Sequence, residues 1–348
     1  MRKKGSLRAF ILLTALILCF LTGCAGKESD VKEVQETDET ITIGMSFDSF
    51  LIERWERDRD VFVSTAKDMG AEVNVQNANG VIETQIEQIR YFIKKKVDAI
   101  VIVAIDSDRL EGVVSEAKSA GITVVAYDRM LHDANADLYV SFDNHKVGEL
   151  MAEALADSGS DVKKVLMLSG PTEDDNVLQV NSGFEEICKK EHIKISDIFY
   201  TPGWKPENAA DFLRENPEKL EGADAIMCGN DNIATQTVRL LAEQKKAGQI
   251  LVTGQDADLE ACQRIVQGAQ LMTVYKPVEK EARAAAEATI ALINGKELRK
   301  VNASENDGTY DIPAIILEPT AVNKTNMDEV IIGSGFHLKE DVYLYAGE

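Results

Sequence analysis

The chain is patterned as short apolar runs separated by longer amphipathic segments, beginning at residue 41. Apolar runs of about four to eight residues rich in valine and isoleucine predict strands, and apolar positions that recur every three or four residues predict helices that pack on one face. Ten strands are predicted in two series, at residues 41–47, 73–77, 98–105, 122–127 and 138–142, and then at 163–169, 193–200, 224–229, 249–254 and 271–275.

Nearly continuous apolar strands joined by helices predict parallel sheets that are covered on both faces. Because the pattern restarts after five strands, we predict an α/β fold of two doubly wound parallel-sheet lobes joined by a hinge that the chain crosses several times. A further predicted helix at 278–294 and an apolar run at 312–319 follow the second series, and we interpret them as segments that complete the lobes. The predicted lobes are residues 41–145 with about 278–310, and residues 146–277 with about 311–348.

The N-terminus has the pattern of an export signal. A basic start at residues 2–4 precedes an apolar run that ends in LTGC, and this run of about 15 residues is shorter than the roughly 20 that a membrane-spanning helix needs. The pattern predicts a lipoprotein signal peptide at residues 1–23, with Cys24 lipidated as the first residue of the processed chain. An ordinary secretory signal or a short membrane anchor is the alternative.

Residues 24–40 are polar and acidic, which predicts a flexible tether between the lipid and the folded lobes. The predicted location is therefore the extracytoplasmic face of the cell membrane, either in the periplasm or on the outer side of the cytoplasmic membrane. The membrane is a partner only through the lipid anchor.

The charge balance argues against nucleic acid as a partner. The chain has 38 Lys and Arg against 59 Asp and Glu, a formal net charge of -21 at pH 7. Such a chain repels a phosphate backbone unless its basic residues are concentrated in one patch. The basic run at residues 94–96 falls at the end of a predicted helix, which is typical of a solvated helix terminus. We therefore predict no nucleic-acid partner.

Motifs of enzymes, cofactor sites and metal sites are missing from the sequence. There is no GxSxG, no P-loop and no GxGxxG after the first strand, and the four histidines are not at metal-ligand spacing. The adjacent acids Asp174 and Asp175 leave a glycoside-processing enzyme as a remote alternative. Cys188, Cys228 and Cys262 remain after processing and lack CxxC spacing, so a single bridge among them stays open and no metal site is predicted.

Polar and aromatic side chains follow the strands of both lobes, where ligands bind in open parallel sheets. Planar polar side chains can bind two neighbouring hydroxyls of a sugar, and tryptophan rings pack on the less polar face of the sugar ring. The candidates are Arg54, Trp55, Asp128 and Arg129 in the first lobe, and Asp174, Asn176, Trp204, Asn230, Asp256 and Lys276 in the second. Together they predict a monosaccharide site.

Each candidate taken alone has a structural alternative. Asp174, Asn230 and Asp256 belong to residue types that commonly form turns and cap helices. Trp55 could be a core residue of its helix, and the acid–base pair after the fourth strand could be an ion pair of the hinge. The joint placement at strand ends of both lobes favours a binding site, because caps alone would not select tryptophan and arginine.

Several motifs resemble a known family. They are LIERWERDRDVF at 51–62, AYDRM at 126–130, SFDNHKVGELMAEAL at 141–155, GQDAD at 254–258 and MTVYKP at 272–277, with VNK at 322–324 and GFH at 335–337. These segments resemble the D-xylose-binding proteins among the periplasmic sugar-binding proteins of ABC transporters, which are type I periplasmic binding proteins of the ribose/galactose-binding family. The resemblance runs from about residue 41 to residue 337.

The resemblance implies capture of D-xylose or a related sugar by closure of the two lobes, with ring stacking by Trp55 and Trp204 and polar contacts from the other eight candidates. It implies delivery to an ABC permease and its ATPase, with neither enzymatic activity nor a cofactor in this chain. A sensory lipoprotein that signals to a membrane histidine kinase or chemoreceptor is the alternative. Residues 104–109 and 171–181 depart from the family pattern, and these departures bear on which sugar is bound.

Overall fold

The computed structural model describes residues 40–345. The predicted signal peptide at 1–23, the lipidation site Cys24 and all of the predicted tether except its last residue lie outside the described residues. Within residues 40–345, no helix combines the length and the apolar character that crossing a membrane requires.

The elements alternate between strands and helices over most of the described chain. The strands are β1 (Ile41–Phe47), β2 (Ala71–Asn77), β3 (Ala99–Ile102), β4 (Thr123–Tyr127), β5 (Leu138–Phe142), β6 (Lys164–Ser169), β7 (Lys194–Tyr200), β8 (Ala225–Cys228), β9 (Leu251–Gln255), β10 (Met272–Tyr275), β11 (Ala303–Asn306), β12 (Asp311–Leu317) and β13 (Thr320–Asn323). The helices are α1 (Arg54–Asp68), α2 (Ile82–Lys95), α3 (Glu111–Ser119), α4 (Asn144–Ala156), α5 (Asp175–Lys190), α6 (Pro206–Glu215), α7 (Asp231–Glu243), α8 (Leu259–Gln267), α9 (Val278–Ile293) and α10 (Lys339–Val342). Short 3-10 turns cover Pro202–Trp204 and Pro217–Leu220, and a π-helical turn covers Asp328–Ile332.

The strands form two separate sheets, one in each lobe. The first sheet has the order β11-β12-β5-β4-β3-β1-β2, and the second has the order β13-β10-β9-β8-β6-β7. Pairing is parallel except at one edge of each sheet, where β11 runs antiparallel to β12 and β13 runs antiparallel to β10. All ten predicted strands are present, and the predicted α/β fold with two parallel-sheet lobes is confirmed.

Both sheets are covered by helices on two faces, which explains why their strands are apolar throughout. In β3, Val101 packs in a cluster with α1 and α9, whereas Ile100 and Ile102 pack in a second cluster with α2 and α3. Successive side chains of a strand point to opposite faces, so each face needs its own apolar residues. In the second lobe α4 and α5 cover one face, and α6 and α7 cover the other.

Helices α4 and α5 pack so closely that each needs a glycine at the crossing. A Cβ added to Gly148 would lie 1.9 Å from the carbonyl oxygen of Val180, and one added to Gly183 would lie 2.0 Å from that of His145. The two backbones are therefore in direct contact. This crossing fixes α5, whose first turn faces the cleft between the lobes.

The chain returns to the first lobe after β10 and leaves it after β12. Helix α9 packs against α1, and β12 pairs in parallel with β5. The prediction assigned residues from about 311 onward to the second lobe, which is wrong for β12: Ala314 and Ile315 lie beside Tyr139 and Val140 at the edge of the first sheet. The reason is that an apolar run carries no signal for which of two sheet edges it joins. The return to the second sheet is made by β13.

Candidate functional site

The ends of the strands surround one cavity between the lobes. Together with its opening to solvent, it has about 430 Å³ of space not filled by protein atoms, and all ten candidate residues from the sequence lie on its wall. Arg54 and Trp55 open α1, and the others follow β4, β6, β8, β9 and β10 or lie in the 3-10 turn after β7. Each of the ten is buried. Their contact with a sugar stays a prediction.

Arg54 is held by three carboxylates from different elements of the first lobe. Its Nε and Nη2 form a fork onto Asp58, at 3.1 and 2.8 Å, one helical turn further along α1. Its Nη1 lies 2.7 Å from Asp128 Oδ2, and its Nη2 lies 2.5 Å from Glu281 Oε2 on α9. The hydroxyl of Tyr127 also donates to Asp58. This network fixes the guanidinium in the cavity wall, because every arm of its fork has a charged partner.

Arg129 connects the two lobes. Its Nη1 donates to Asp48 Oδ2 at 2.9 Å and to the carbonyl oxygen of Ala104 at 2.7 Å, both in the first lobe. Its Nε lies 2.7 Å from Oδ2 of Asp174 in the second lobe, and the same oxygen accepts a hydrogen bond from Trp204 Nε1 at 3.0 Å. Arg129 therefore pairs with these acids rather than with its neighbour Asp128.

Asn176 makes a second polar contact across the cleft. Its Nδ2 donates to both the carbonyl oxygen and the Oδ1 of Asp128, at 3.1 and 2.9 Å. Asp174 accepts from the backbone N–H of Asn176 at 3.1 Å, so Asp174 caps α5 and lines the cavity at the same time. Asn230 likewise caps α7, accepting from the N–H of Ile233 at 2.9 Å. The capping alternative is therefore compatible with a place in the cavity wall for both residues.

Asp128 and Asp256 occupy equivalent positions in the two lobes. Each follows the fourth strand of its lobe, and each donates its backbone N–H to the next strand, Asp128 to Val140 at 2.7 Å and Asp256 to Val274 at 2.8 Å. Both have a positive φ, 64° and 97°, which side chains other than glycine rarely adopt. Such strain is maintained where the surrounding structure determines the backbone, and it is common at binding sites. Asp256 also pairs with Lys276 Nζ at 2.8 Å.

The two tryptophans form apolar parts of the wall. The Arg54 guanidinium lies 4.4 Å from the ring centre of Trp55, and that of Arg129 lies 5.6 Å from it. Trp204 packs against Gly170, where an added Cβ would lie 2.4 Å from the indole ring. The wall therefore combines aromatic surface with charged groups, as a ligand with both apolar C–H and hydroxyl groups requires.

Among the described residues, six buried polar atoms in the cavity wall have no hydrogen-bond partner; two of these, Arg129 Nε and Asp256 Oδ1, are in ion pairs, and four have no partner of either kind. The four are Trp55 Nε1, Asn176 Oδ1, Asn230 Nδ2 and Gln255 Oε1. Buried polar groups are almost always paired, because leaving one unpaired costs about 1–3 kcal/mol. Two are donors and two are acceptors. Their convergence on one cavity indicates a ligand that both donates and accepts hydrogen bonds, as hydroxyl groups do.

Burial and the charges of the wall act against each other, and the pKa values of two of its acids are shifted in opposite directions. Burial opposes ionisation of Asp128, but the positive charges of Arg54, Lys276 and Arg129 outweigh it and hold the pKa of this carboxyl below its ordinary value. Burial raises the pKa of Asp174 to about 6, although Arg129 acts against this rise. Asp128 is therefore charged at neutral pH, which makes it a strong acceptor for a hydroxyl group.

Sequence reasoning missed several residues of the site. Asn144 and Gln255 line the cavity. They lie within the motifs SFDNH and GQDAD but were not among the candidates. Asp58 and Glu281 lie behind the wall and hold Arg54. Their positions within helices resemble those of ordinary surface charges, so only the tertiary contact reveals them.

The cysteines and acids of the described residues form no further centre. Cys188, Cys228 and Cys262 are all buried and unbridged, and Cys228 packs in the apolar core. No group of three or more metal-ligating side chains is found within residues 40–345.

Comparison with known proteins gives consistent matches over nearly the whole described chain. Residues 43–297 match a family model described as periplasmic binding protein domain. The D-xylose-binding periplasmic protein of Escherichia coli strain K12 is 40% identical over 340 residues, which cover 95% of this chain and 98% of that protein. The D-xylose-binding periplasmic protein of Haemophilus influenzae is 40% identical over 309 residues, covering 87% of this chain and 92% of that protein.

Solved structures also match the fold of this chain. A solute-binding protein of an ABC transporter from Clostridium phytofermentans, with bound β-D-glucose, superposes with a TM-score of 0.78 at 25% identity. The match covers 86% of this chain and 99% of that one. These relatives are binding proteins rather than enzymes.

Proposed function

The chain belongs to the periplasmic binding protein family, and from this we propose that it captures a monosaccharide, D-xylose before other sugars, and delivers it to an ABC permease. The choice of D-xylose is supported by two relatives at 40% identity that are named for that sugar. No separate enzymatic role is needed. The ATPase of the transporter supplies the energy of transport.

The observation that carries the proposal is the set of four unpartnered polar atoms in a buried cavity with two tryptophans. A sugar offers each hydroxyl as both donor and acceptor, so it can satisfy both kinds of atom. An epimer that misplaces one hydroxyl would leave a buried group unpaired, at a cost of about 1–3 kcal/mol, which corresponds to roughly a 10- to 100-fold loss of affinity. This cost is the basis of discrimination among sugars.

Capture by closure follows from the way that the wall is divided between the lobes. Asp128 and Arg129 belong to the first lobe, and their partners Asn176 and Asp174 belong to the second. A sugar that touches both lobes binds the closed form more strongly than the open one, and it therefore shifts the equilibrium toward closure. The closed form is then the state that the permease recognises.

The proposal also covers the location of the protein and its transport partner. We assign the protein to the extracytoplasmic side of the membrane because its relatives are named as periplasmic, and we attribute anchoring to lipidation of Cys24 because of the LTGC sequence. An ABC permease is preferred to a sensor kinase because a matched structure is named as an ABC transporter protein. Loss of membrane attachment in Cys24→Ala would support the anchor, and unchanged attachment would contradict it.

Isothermal titration of the processed protein with D-xylose, ribose, arabinose, glucose and galactose tests the proposal. We expect one-to-one binding that is tightest for D-xylose. Asp256→Asn should weaken it roughly 10- to 100-fold, because a charged acceptor in the wall becomes neutral. The matched control is Asp258→Asn, which changes a buried acid two positions away that does not line the cavity. Tight binding of another sugar would retain capture but reject D-xylose, and binding of none would reject the proposal.

A further inference from the structure

At the rim of the cleft, His132 lies between carboxylates from the two lobes. Its Nδ1 is 2.7 Å from Asp108 Oδ1, in the first lobe, and its Nε2 is 3.3 Å from Asp175 Oδ1, in the second. The side chain of His132 is 30% exposed and that of Asp175 is 20% exposed, and neither lines the cavity. The imidazole therefore joins the lobes at a point that the sugar does not reach.

A backbone contact joins the lobes at the same place. The N–H of Ser107 donates to the carbonyl oxygen of Glu173 across the cleft at 3.0 Å, and the N–H of His132 donates to the carbonyl oxygen of Ser107 at 2.9 Å. Asp108 belongs to residues 104–109 and Asp175 to residues 171–181. These are the two segments at which the sequence departs from the pattern of the family that it resembles. The two departures therefore meet in space, through this backbone hydrogen bond and through His132.

We propose that the contact between His132 and Asp175 is a latch, formed only when the lobes close, so that a proton on His132 strengthens sugar binding without touching the sugar. The inference rests on the proposed function, since the latch acts on the closure that captures the ligand. A contact present in only one of two conformations shifts their equilibrium by its own differential free energy. His132 is thus a positioning residue, and it tunes affinity through the lobes.

The two carboxylates that contact the imidazole favour its protonation. Asp108 and Asp175 contact it directly, and the side chain of Gln179 donates to the other oxygen of Asp175 at 2.5 Å. Further charged residues lie within two positions of Asp108 or Asp175 in the chain. Asp106 accepts from the N–H of Asp108, Glu173 accepts from the hydroxyl of Thr172, and Arg109 pairs with Glu83. The imidazole therefore lies among acids, with the neighbouring guanidinium engaged elsewhere.

These contacts raise the pKa of His132 to about 9, with the hydrogen bond to Asp175 as the largest cause and that to Asp108 next. Opening the cleft would remove the Asp175 contact and leave the Asp108 contact in place. The imidazole then binds its proton more tightly in the closed form than in the open form. The stabilisation of closure is complete at low pH and is lost as pH rises through about 9.

Titrations of the bound sugar from pH 6.5 to 9.5 test the latch. We expect the affinity of the unaltered protein to fall by up to about fivefold over this range, which is the largest effect expected of a partly exposed ion pair. His132→Gln and Asp175→Asn should each bind several-fold more weakly at pH 7 and should lose that slope. The matched control is His145→Gln, since His145 also lies between two acids, Glu149 at 3.6 Å and Glu186 at 3.5 Å, but within one lobe.

The outcomes separate the latch from the proposed function. If a sugar binds and His132→Gln keeps the slope of the unaltered protein, the latch is rejected and capture stands. If none of the five sugars binds, the proposed function fails, and the latch, which acts on the closure around a sugar, is rejected with it.

Discussion

Replacing Arg54 with methionine should destabilise the unliganded protein far more than the same change at Arg57, its neighbour on α1. Arg54 is buried and makes four charged contacts of 3.1 Å or less, two to Asp58 and one each to Asp128 and Glu281. All of these partners belong to the first lobe, so the network does not depend on closure of the cleft. Methionine keeps much of the side-chain volume and removes only the charge and the donors.

The expected loss of stability follows from the buried carboxylates that remain without a counter-ion. Removing one partner of a buried ion pair costs about 3–5 kcal/mol, because the remaining charge has neither water nor a counter-ion. Arg57 pairs with Glu279 at 2.8 Å, but both side chains are 35% exposed, and such a pair contributes only about 0–1 kcal/mol. The two arginines therefore offer the same substitution on the same helix, each with a partner on α9, and differ in burial and in the number of carboxylates that they bind.

Urea unfolding of the unliganded variants, followed by circular dichroism at pH 7 and pH 5, measures the difference. Burial already holds the pKa of Asp58 above its ordinary value, and the positive charge of Arg54 acts against that rise. Without Arg54 the pKa of Asp58 would rise further, and the pKa of Asp128, which is below its ordinary value in the unaltered protein, would rise as well. A carboxyl with a raised pKa destabilises the fold above that pKa, and protonation relieves the penalty as pH falls. The cost of Arg54→Met should thus be smaller at pH 5 than at pH 7. A cost equal to that of Arg57→Met, or one independent of pH, would refute the reasoning.

Two further predictions concern packing and the aromatic wall. Gly148→Ala should destabilise the protein by about 1–3 kcal/mol, because its Cβ meets the backbone of α5. The control is Gly112→Ala on α3, where nothing lies within 4 Å of the added Cβ, and it should stabilise the protein by roughly 0.5–1 kcal/mol. Equal effects of the two substitutions in urea unfolding would contradict the close crossing of α4 and α5. Trp204→Phe keeps an aromatic surface but loses the hydrogen bond to Asp174. Fluorescence titration should therefore show about tenfold weaker sugar binding and a smaller change of signal on binding. An unchanged signal would show that Trp204 is not part of the site.

The strands were predictable because each carries apolar residues for two buried faces, as β3 does with Val101 on one side and Ile100 and Ile102 on the other. Strands β11 and β13 were not predicted. β11 has the polar sequence ASEN and is largely exposed, and β13 has only four residues. Both are edge strands, where burial imposes little on the sequence. The assignment of β12 to the wrong lobe has a related cause, since pairing partners are a tertiary property.

The walls of the cavity were predictable for a different reason. Strand ends in parallel sheets converge, so polar and aromatic residues at those positions are brought together by topology alone. Asp58 and Glu281 have no such signal: Asp58 lies four residues after Arg54 in a helix rich in charge, and Glu281 is remote in sequence. Nothing in the sequence distinguishes Glu281 from Glu279 on the same helix, although one is buried and the other is not.

Closure of the lobes without a sugar should be unfavourable, so the lobes are expected to close only when a sugar is bound. The closed cavity leaves four polar atoms unpaired, each at about 1–3 kcal/mol, whereas a partly exposed ion pair such as that of His132 with Asp175 contributes about 0–1 kcal/mol. The latch is therefore too weak to close an empty cleft. The hydroxyl groups of a sugar would remove the penalty by pairing with Asn176, Asn230 and Gln255, and the latch would then add its smaller contribution. The sugar therefore decides whether the lobes close, and the proton on His132 adjusts how tightly they stay closed.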